Sequence, residues 1–282
     1  MGENPMTVAP EQPREGGSQR RPGTGLVLGA YAAAVCAFLF APIVIAIILS
    51  FSSVPQLVFP PPGYGLTWYR EALETRNYIS GFAVSTIIAG GAALISAVAG
   101  TGAAIAINHY RFFGRSAVQV LIMLPVALPG VVIGLNLLFT LSLYNMTTGI
   151  VATTLAHSLL GTSYVTYLVL ATLANYDLTL EQASLNLGAS RSQTFWRITF
   201  PLVRPGIGAG AVFAFLISFD NVALSIFTAR GDTLPLRLMQ KIQFYPDPSV
   251  AAVAAVLVFL SLMALPLFGR VLQQRDIGRL GE

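Results

Sequence analysis

The chain has 282 residues, of which 55% are hydrophobic and only 10% charged, and its mean hydropathy is +0.70. Soluble domains carry about 25% charged residues, so the composition excludes an ordinary soluble globular protein. The net charge of +4 comes without any basic cluster interleaved with aromatics, which argues against nucleic acid, and a single cysteine, Cys36, excludes an intrachain disulfide.

Residues 1–25 are rich in Pro, Gly, Gln and Arg and read as a disordered tail, because they have too little apolar surface to bury. Residues 26–51 carry no charge and are long enough for a spanning helix, which needs about 20 apolar residues. The run is too long for a signal peptide and lacks a small-residue cleavage site after it. Pro42 is expected to kink it, and Cys36 to pack within it. A mixed loop follows, in which Thr67 could cap a short helix and Tyr64, Trp68 and Tyr69 suit an interfacial aromatic belt. The second span, 79–107, is dense in Gly and Ala, which let helices approach closely.

Residues 116–174 hold no Asp, Glu, Lys or Arg over 59 positions. One helix of that length would measure about 90 Å, roughly three times the hydrocarbon thickness. The chain must fold back, best at Tyr144–Gly149, giving spans 116–143 and 149–174. Pro125 and Pro129 should bend the first of these. Spans at 206–228 and 249–269 complete an all-α membrane domain of six helices over residues 26–272, with a polar loop from Ala229 to Asp247 between them and a polar tail at 273–282.

With the N-terminus inside, the inner loops hold Arg14, Arg20, Arg21, Arg111, Arg115, Arg191, Arg197, Arg204, Arg270, Arg275 and Arg279. The outer loops hold only Arg70, Arg76, Arg230, Arg237 and Lys241. This bias places both termini in the cytoplasm, and with them the charged stretch 177–204.

That stretch reads as two short helices, about 179–189 and 192–199, hinged at Gly188. Asp177 or Thr179 can cap the first, and Ser190 or Ser192 the second. Gly188 suits the left-handed residue that ends a helix. Pro201 is expected to stop the second helix and Pro205 to begin the fifth span. A cytoplasmic docking segment and an ordinary surface helix hairpin are equal readings of charge and pattern alone.

Within it, Gln182-Ala183-Ser184, then Gly188, Ala189, Ile198, Phe200 and Pro201 fall at the spacing Glu-Ala-Ala, three residues, Gly, nine residues, Ile-x-Leu-Pro. This resembles the cytoplasmic signature of ABC-importer permeases. Gln182, Ser184 and Phe200 depart from it, and Glu181 stands one residue before the missing acid. NHYRFFGR after the second span, LPVALPGVVIGL in the third, SFDNVALSIF in the fifth and TLPLRLMQKI before the sixth are similar to the spermidine/putrescine branch.

The resemblance implies a type I importer permease fold in a bacterial inner membrane. It implies that Glu181, Gln182, Ala183, Gly188, Ala189, Arg191, Ile198 and Pro201 dock a separate ATPase. The implied partners are two ATPase subunits, a second and unlike permease subunit, an extracytoplasmic substrate-binding protein and membrane lipid. No cofactor is expected in this chain: it has no Walker A sequence, and its one Lys is Lys241, so ATP belongs to the partner. Enzymatic activity is not expected.

Asp220 is the only acid inside a span, about 21 Å along the fifth from Gly206. Intramembrane acids seldom face lipid and often mark a substrate path. Asp220 reads as a polar point attractive to a cation, with Phe213, Ile217 and Leu224 on its face and Phe219 and Asn221 beside it; a packing acid bonded to a neighbouring helix or to Asn221 is the competing reading. Asn221 stands where polyamine permeases often carry a second acid. His157 in the fourth span reads as a helix–helix hydrogen-bond donor. The expected cargo is a small, polar, cationic, polyamine-like solute. An amino-acid-like or anionic solute, and an ion-coupled secondary transporter using Asp220, are the alternatives. No cluster of catalytic or metal-ligating residues supports an intramembrane enzyme.

Overall fold

The computed structural model describes residues 22–174 and 179–273. The expected tails, apart from a few residues at their inner ends, and the proposed cap Asp177 lie outside the described residues. The described chain is helical: α1 (Pro22–Ser50), α2 (Thr67–Glu74), α3 (Arg76–His109), α4 (Arg115–Ala127), α5 (Gly130–Leu143), α6 (Ile150–Ala174), α7 (Thr179–Asn186), α8 (Arg191–Thr194), a π turn (Phe195–Thr199), α9 (Phe200–Phe219), α10 (Val222–Thr228), α11 (Leu234–Phe244) and α12 (Pro248–Gln273). Among the described residues there is no strand, only one isolated antiparallel bridge between Ser52 and Tyr64.

Three helical runs, Val27–Ser50, Arg76–His109 and Arg191–Phe219, are long and apolar enough to cross a membrane, and the bent pair α4–α5 makes a fourth. The chain divides into two units, 1–46 and 47–282. In the first, α1 is an uncharged helix with Pro42 inside it. Cys36, expected to pack, is exposed.

The second unit is built on α3, α6 and α9. None has a charged face, and each is apolar around most of its circumference, as a helix surrounded by other helices or lipid must be. Their core is Ala104, Val165, Val169, Leu173, Val203 and Ala214. Val165 of α6 sits between Gly100 of α3 and Gly210 of α9: a Cβ on Gly100 would lie 2.7 Å from it, and one on Gly210 would lie 2.9 Å from its Cα. Missing side chains therefore set how closely the three backbones approach. Ser96 Oγ donates to the Ser158 carbonyl at 3.1 Å, joining α3 to α6 inside this contact.

The bend expected in the third span is sharp. α4 and α5 meet at 104°. Pro125 stays within α4, whereas Pro129 caps α5, where its missing N–H costs nothing. Ile133 of α5 then packs with Ala156, Leu160 and Leu224.

Three expectations change at the other loops. Thr67 is the first residue of α2 rather than its cap; Leu66 occupies the cap without a side-chain bond. Trp68 is buried, not belted at the surface, because its indole N–H donates to the Ser52 carbonyl at 2.7 Å just past the end of α1. The loop 229–247 contains the amphipathic α11, whose Leu234 and Leu236 are buried. The Leu234 amide donates to Ser85 Oγ at 2.9 Å, fixing the start of α11 against α3.

Lys241 at the end of α11 meets Asp247 at 2.6 Å, just before α12. Burial pushes the Asp247 carboxyl up, but the Lys241 ammonium and the hydroxyl and amide of Ser249 outweigh it and hold the group below the usual carboxylate range. The bond to Asp247 holds Lys241 above the usual ammonium range against its own desolvation.

Two outcomes follow from this packing. Gly100→Val should lower the detergent melting temperature by about 5 °C or more, since overpacking costs roughly 1–3 kcal/mol. Gly90→Val, with nothing within 4 Å of its Cβ, should not; equal melting of both variants would contradict the Val165 contact. A carboxyl depressed on folding contributes stability above its unfolded value and loses it as pH falls. A raised ammonium contributes below its unfolded value and loses it only at alkaline pH. From about pH 6 to about pH 3 the wild type should therefore lose melting temperature more steeply than Asp247→Asn. Parallel slopes would show that the pair adds nothing.

Candidate functional site

The charged stretch forms a short helical hairpin. α7 has no buried residue, and Leu180 and Leu187 are exposed. Gly188 has φ +87° with open space about its Cβ position. Its role within this chain is thus the left-handed turn, which L side chains resist. The Ala189 amide donates to the Ser184 carbonyl at 3.2 Å across the turn. Ser190 then caps α8 in a reciprocal box with Gln193: Ser190 Oγ accepts the Gln193 amide at 3.2 Å, and Gln193 Oε1 accepts the Ser190 amide at 2.9 Å.

Pro201 does not stop this helix. α8, the π turn and α9 run on as one helical segment, with Pro201 in the first turn of α9 and Pro205 inside it. The π turn supplies the reason. Its wider winding lets the Phe200 amide reach the Phe195 carbonyl, so the ladder shifts register just before the first proline.

Of the residues the sequence singled out in this stretch, Gln182, Ala183, Gly188, Arg191 and Pro201 are exposed, while Glu181, Ala189 and Ile198 are half-buried. Glu181 turns inward. Both carboxylate oxygens lie 3.0 Å from His109 Nε2, and Oε1 accepts the Thr199 hydroxyl at 2.5 Å. One acid therefore ties α7 to the end of α3 and to the π turn. His109 and Thr199 were not legible as its partners, being 72 and 18 residues away. The placement of NHYRFFGR on the same membrane side is the only signal that pointed there.

The second feature is a break in the helix expected as the fifth span. α9 ends at Phe219, Asp220 has φ −93° and ψ 0°, and Asn221 is extended at φ −76°, ψ 102°. Asn221 Oδ1 accepts the Leu224 amide at 2.9 Å and so caps α10. Asp220 is exposed at a cavity of about 470 Å³ lined by Phe213, Leu216, Ile217, Asp220, Asn221, Val222 and Ala223.

The expected face of the span is only partly present. Phe213, Ile217, Asp220 and Asn221 converge on the cavity. Leu224, placed with them by an unbroken helical period, is fully buried against Ile133, Ala156 and Leu160, because the break turns α10 away. Phe219 is not in the cavity lining; it packs edge-on to Phe82, with ring centroids 5.7 Å apart, and against the Tyr78–Leu234 cluster. The site thus offers one carboxylate, one amide and an aromatic side chain, Phe213, in an otherwise apolar wall, a composition suited to a small cation with an aliphatic body. Among the described residues no three His, Cys, Asp or Glu side chains are grouped as metal ligands.

Residues 96–277 match the model of a family described as binding-protein-dependent transport system inner membrane component. The chain is 30% identical over 257 residues to the putrescine transport system permease protein PotI of Escherichia coli, covering 86% of this chain and 91% of the relative. It is 29% identical over 244 residues to the spermidine/putrescine transport system permease protein PotC of Haemophilus influenzae, covering 86% and 94%. The fold is that of a solved bacterial alginate ABC transporter in complex with a periplasmic protein bound to alginate pentasaccharide, at TM-score 0.68 and 16% identity over 90% of this chain and 95% of that one. The exposed hairpin between apolar helices, the acid at a helix break and these matches agree: the chain belongs to the inner-membrane permease components of binding-protein-dependent transport systems, as a multi-pass member similar to the spermidine/putrescine permeases.

Proposed function

We propose that this chain is the permease subunit of an ATP-driven importer for a small polyamine-like cation. It spans the membrane six times with both termini in the cytoplasm: α4–α5 form one bent span, α9–α10 one broken span, and α1, α3, α6 and α12 the others. It pairs with a second, unlike permease subunit. Two ATPase subunits hold the ATP, and an extracytoplasmic binding protein delivers the solute. The chain itself performs no covalent chemistry.

The observation that carries the cargo class is Asp220, exposed at the break and facing the cavity with Asn221 and Phe213. A carboxylate there lowers the cost of carrying a cation through hydrocarbon, where an unpaired charge is expensive. The apolar wall fits the methylene body of a diamine. The similarity to two polyamine permeases supports the same reading. The exposed side chains Gln182, Ala183, Arg191 and Pro201 and the bare turn at Gly188 form the surface offered to the ATPase, while Glu181 braces that surface from behind. The space above Gly188 is open in this chain, so a partner backbone can approach it.

Gly188→Trp should reduce co-purification of the ATPase and abolish ATP-driven uptake while leaving the amount of chain in the membrane unchanged. Full uptake with normal ATPase binding would remove the docking role. Asp220→Asn should cut the efficiency of putrescine uptake by about tenfold or more, the loss expected for one charge-assisted contact. Unchanged kinetics would make Asp220 a packing acid.

A further inference from the structure

We propose that His157 is a positioning residue: one imidazole clamps both sides of the break in the fifth span and so holds Asp220 and Asn221 at the cavity. The inference rests on the reading of that cavity as the solute path.

His157 lies on α6 and is 2% exposed. Its Nδ1 is 2.8 Å from Ser218 Oγ, in the last turn of α9. Its Nε2 is 3.3 Å from Ser225 Oγ, in α10. Both hydroxyls are buried as well. In an unbroken helix, residues 218 and 225 would stand about 10.5 Å apart along the axis; the break lets both turn onto one ring. Ser225 Oγ also donates to the Asn221 carbonyl at 2.6 Å. A serine has one proton to give, so towards His157 it accepts, and Nε2 carries the hydrogen. Nδ1 is then the acceptor, and the Ser218 hydroxyl donates to it. The protons run in one direction, from Ser218 through the imidazole and Ser225 to the Asn221 carbonyl beside the break.

Each member of this chain has a task that an apolar replacement cannot perform. The ring both accepts and donates, and only that pairing reaches the two segments at once. Asn221, held by its carbonyl through Ser225 and by its side chain through the Leu224 amide, is fixed at two points. Asp220 is its neighbour and inherits that orientation.

The test uses the complete complex of this chain with its partner subunits, in nanodiscs for hydrogen exchange and NMR and in proteoliposomes for uptake. Hydrogen exchange of residues 219–226 should be about tenfold faster in His157→Leu, with α3 unaffected, and putrescine uptake should fall about tenfold. His157→Gln, which can accept and donate at similar reach, should restore most of both. Because the chain has only two histidines, 15N-histidine NMR of the wild-type complex with this chain alone labelled gives a second reading that needs no mutant to fold. It should show His157 neutral, with Nε2 protonated and Nδ1 bare. Unchanged exchange in His157→Leu, no rescue by Gln, or a proton on Nδ1 would each overturn the clamp. A wild-type complex that takes up no putrescine, while His157→Leu still loosens 219–226, would overturn the polyamine reading and support the clamp.

Discussion

A helix in hydrocarbon can open only where its freed amide and carbonyl groups find partners inside the protein. Two helix interruptions among the described residues each meet part of that condition. At Leu128–Pro129 the proline has no amide to satisfy. At Asp220–Asn221 side chains contribute: Asn221 caps the Leu224 amide, and the Ser225 hydroxyl donates to the Asn221 carbonyl. The break in α9–α10 is therefore a supported structure, and it is the place where an acid is exposed at a cavity.

The continuous run Arg191–Phe219 joins the two candidate sites. At 29 residues it measures about 44 Å. A proline-terminated helix followed by a separate span would have put a flexible joint between the hairpin and Asp220. The π turn instead carries the helical run on from α8 through Pro201 to the break. Glu181 ties the near end of this run, at Thr199, to His109 at the end of α3. α3 in turn packs on α6 and α9 through Val165, where glycines allow the backbones to touch. Hairpin, helical run and break thus rest on one core.

Much of this was legible in the chain. Apolar runs located the helices, the Tyr144–Gly149 stretch separated α5 from α6, Pro125 and Pro129 marked the bend, and Gly188 with Ser190 or Ser192 marked the hairpin's turn and cap. These are local signals, each carried by one or two residues whose backbone preferences are strong. What stayed hidden depended on partners distant in sequence or on competing local effects. Pro201 reads as a stop, and only the π register shift next to it reverses that. Asp220 sits in an apolar run that looks unbroken, since Asn221 is as compatible with a polar span face as with a cap. The contact of Glu181 with His109, and of His157 with both serines, needed the packing of separate helices to appear. The loop 229–247 was polar enough to mask the apolar edge of α11.

Under the proposed function the labour is divided: partner subunits hold ATP, and this chain supplies the path. Reconstitution of the chain with its second permease, ATPase and binding protein in liposomes tests that most directly, by following putrescine accumulation with and without ATP on the cytoplasmic side. Accumulation that requires ATP and the binding protein, and that persists after ionophores collapse every ion gradient, is the predicted result. Accumulation driven by an ion gradient without ATP would contradict it.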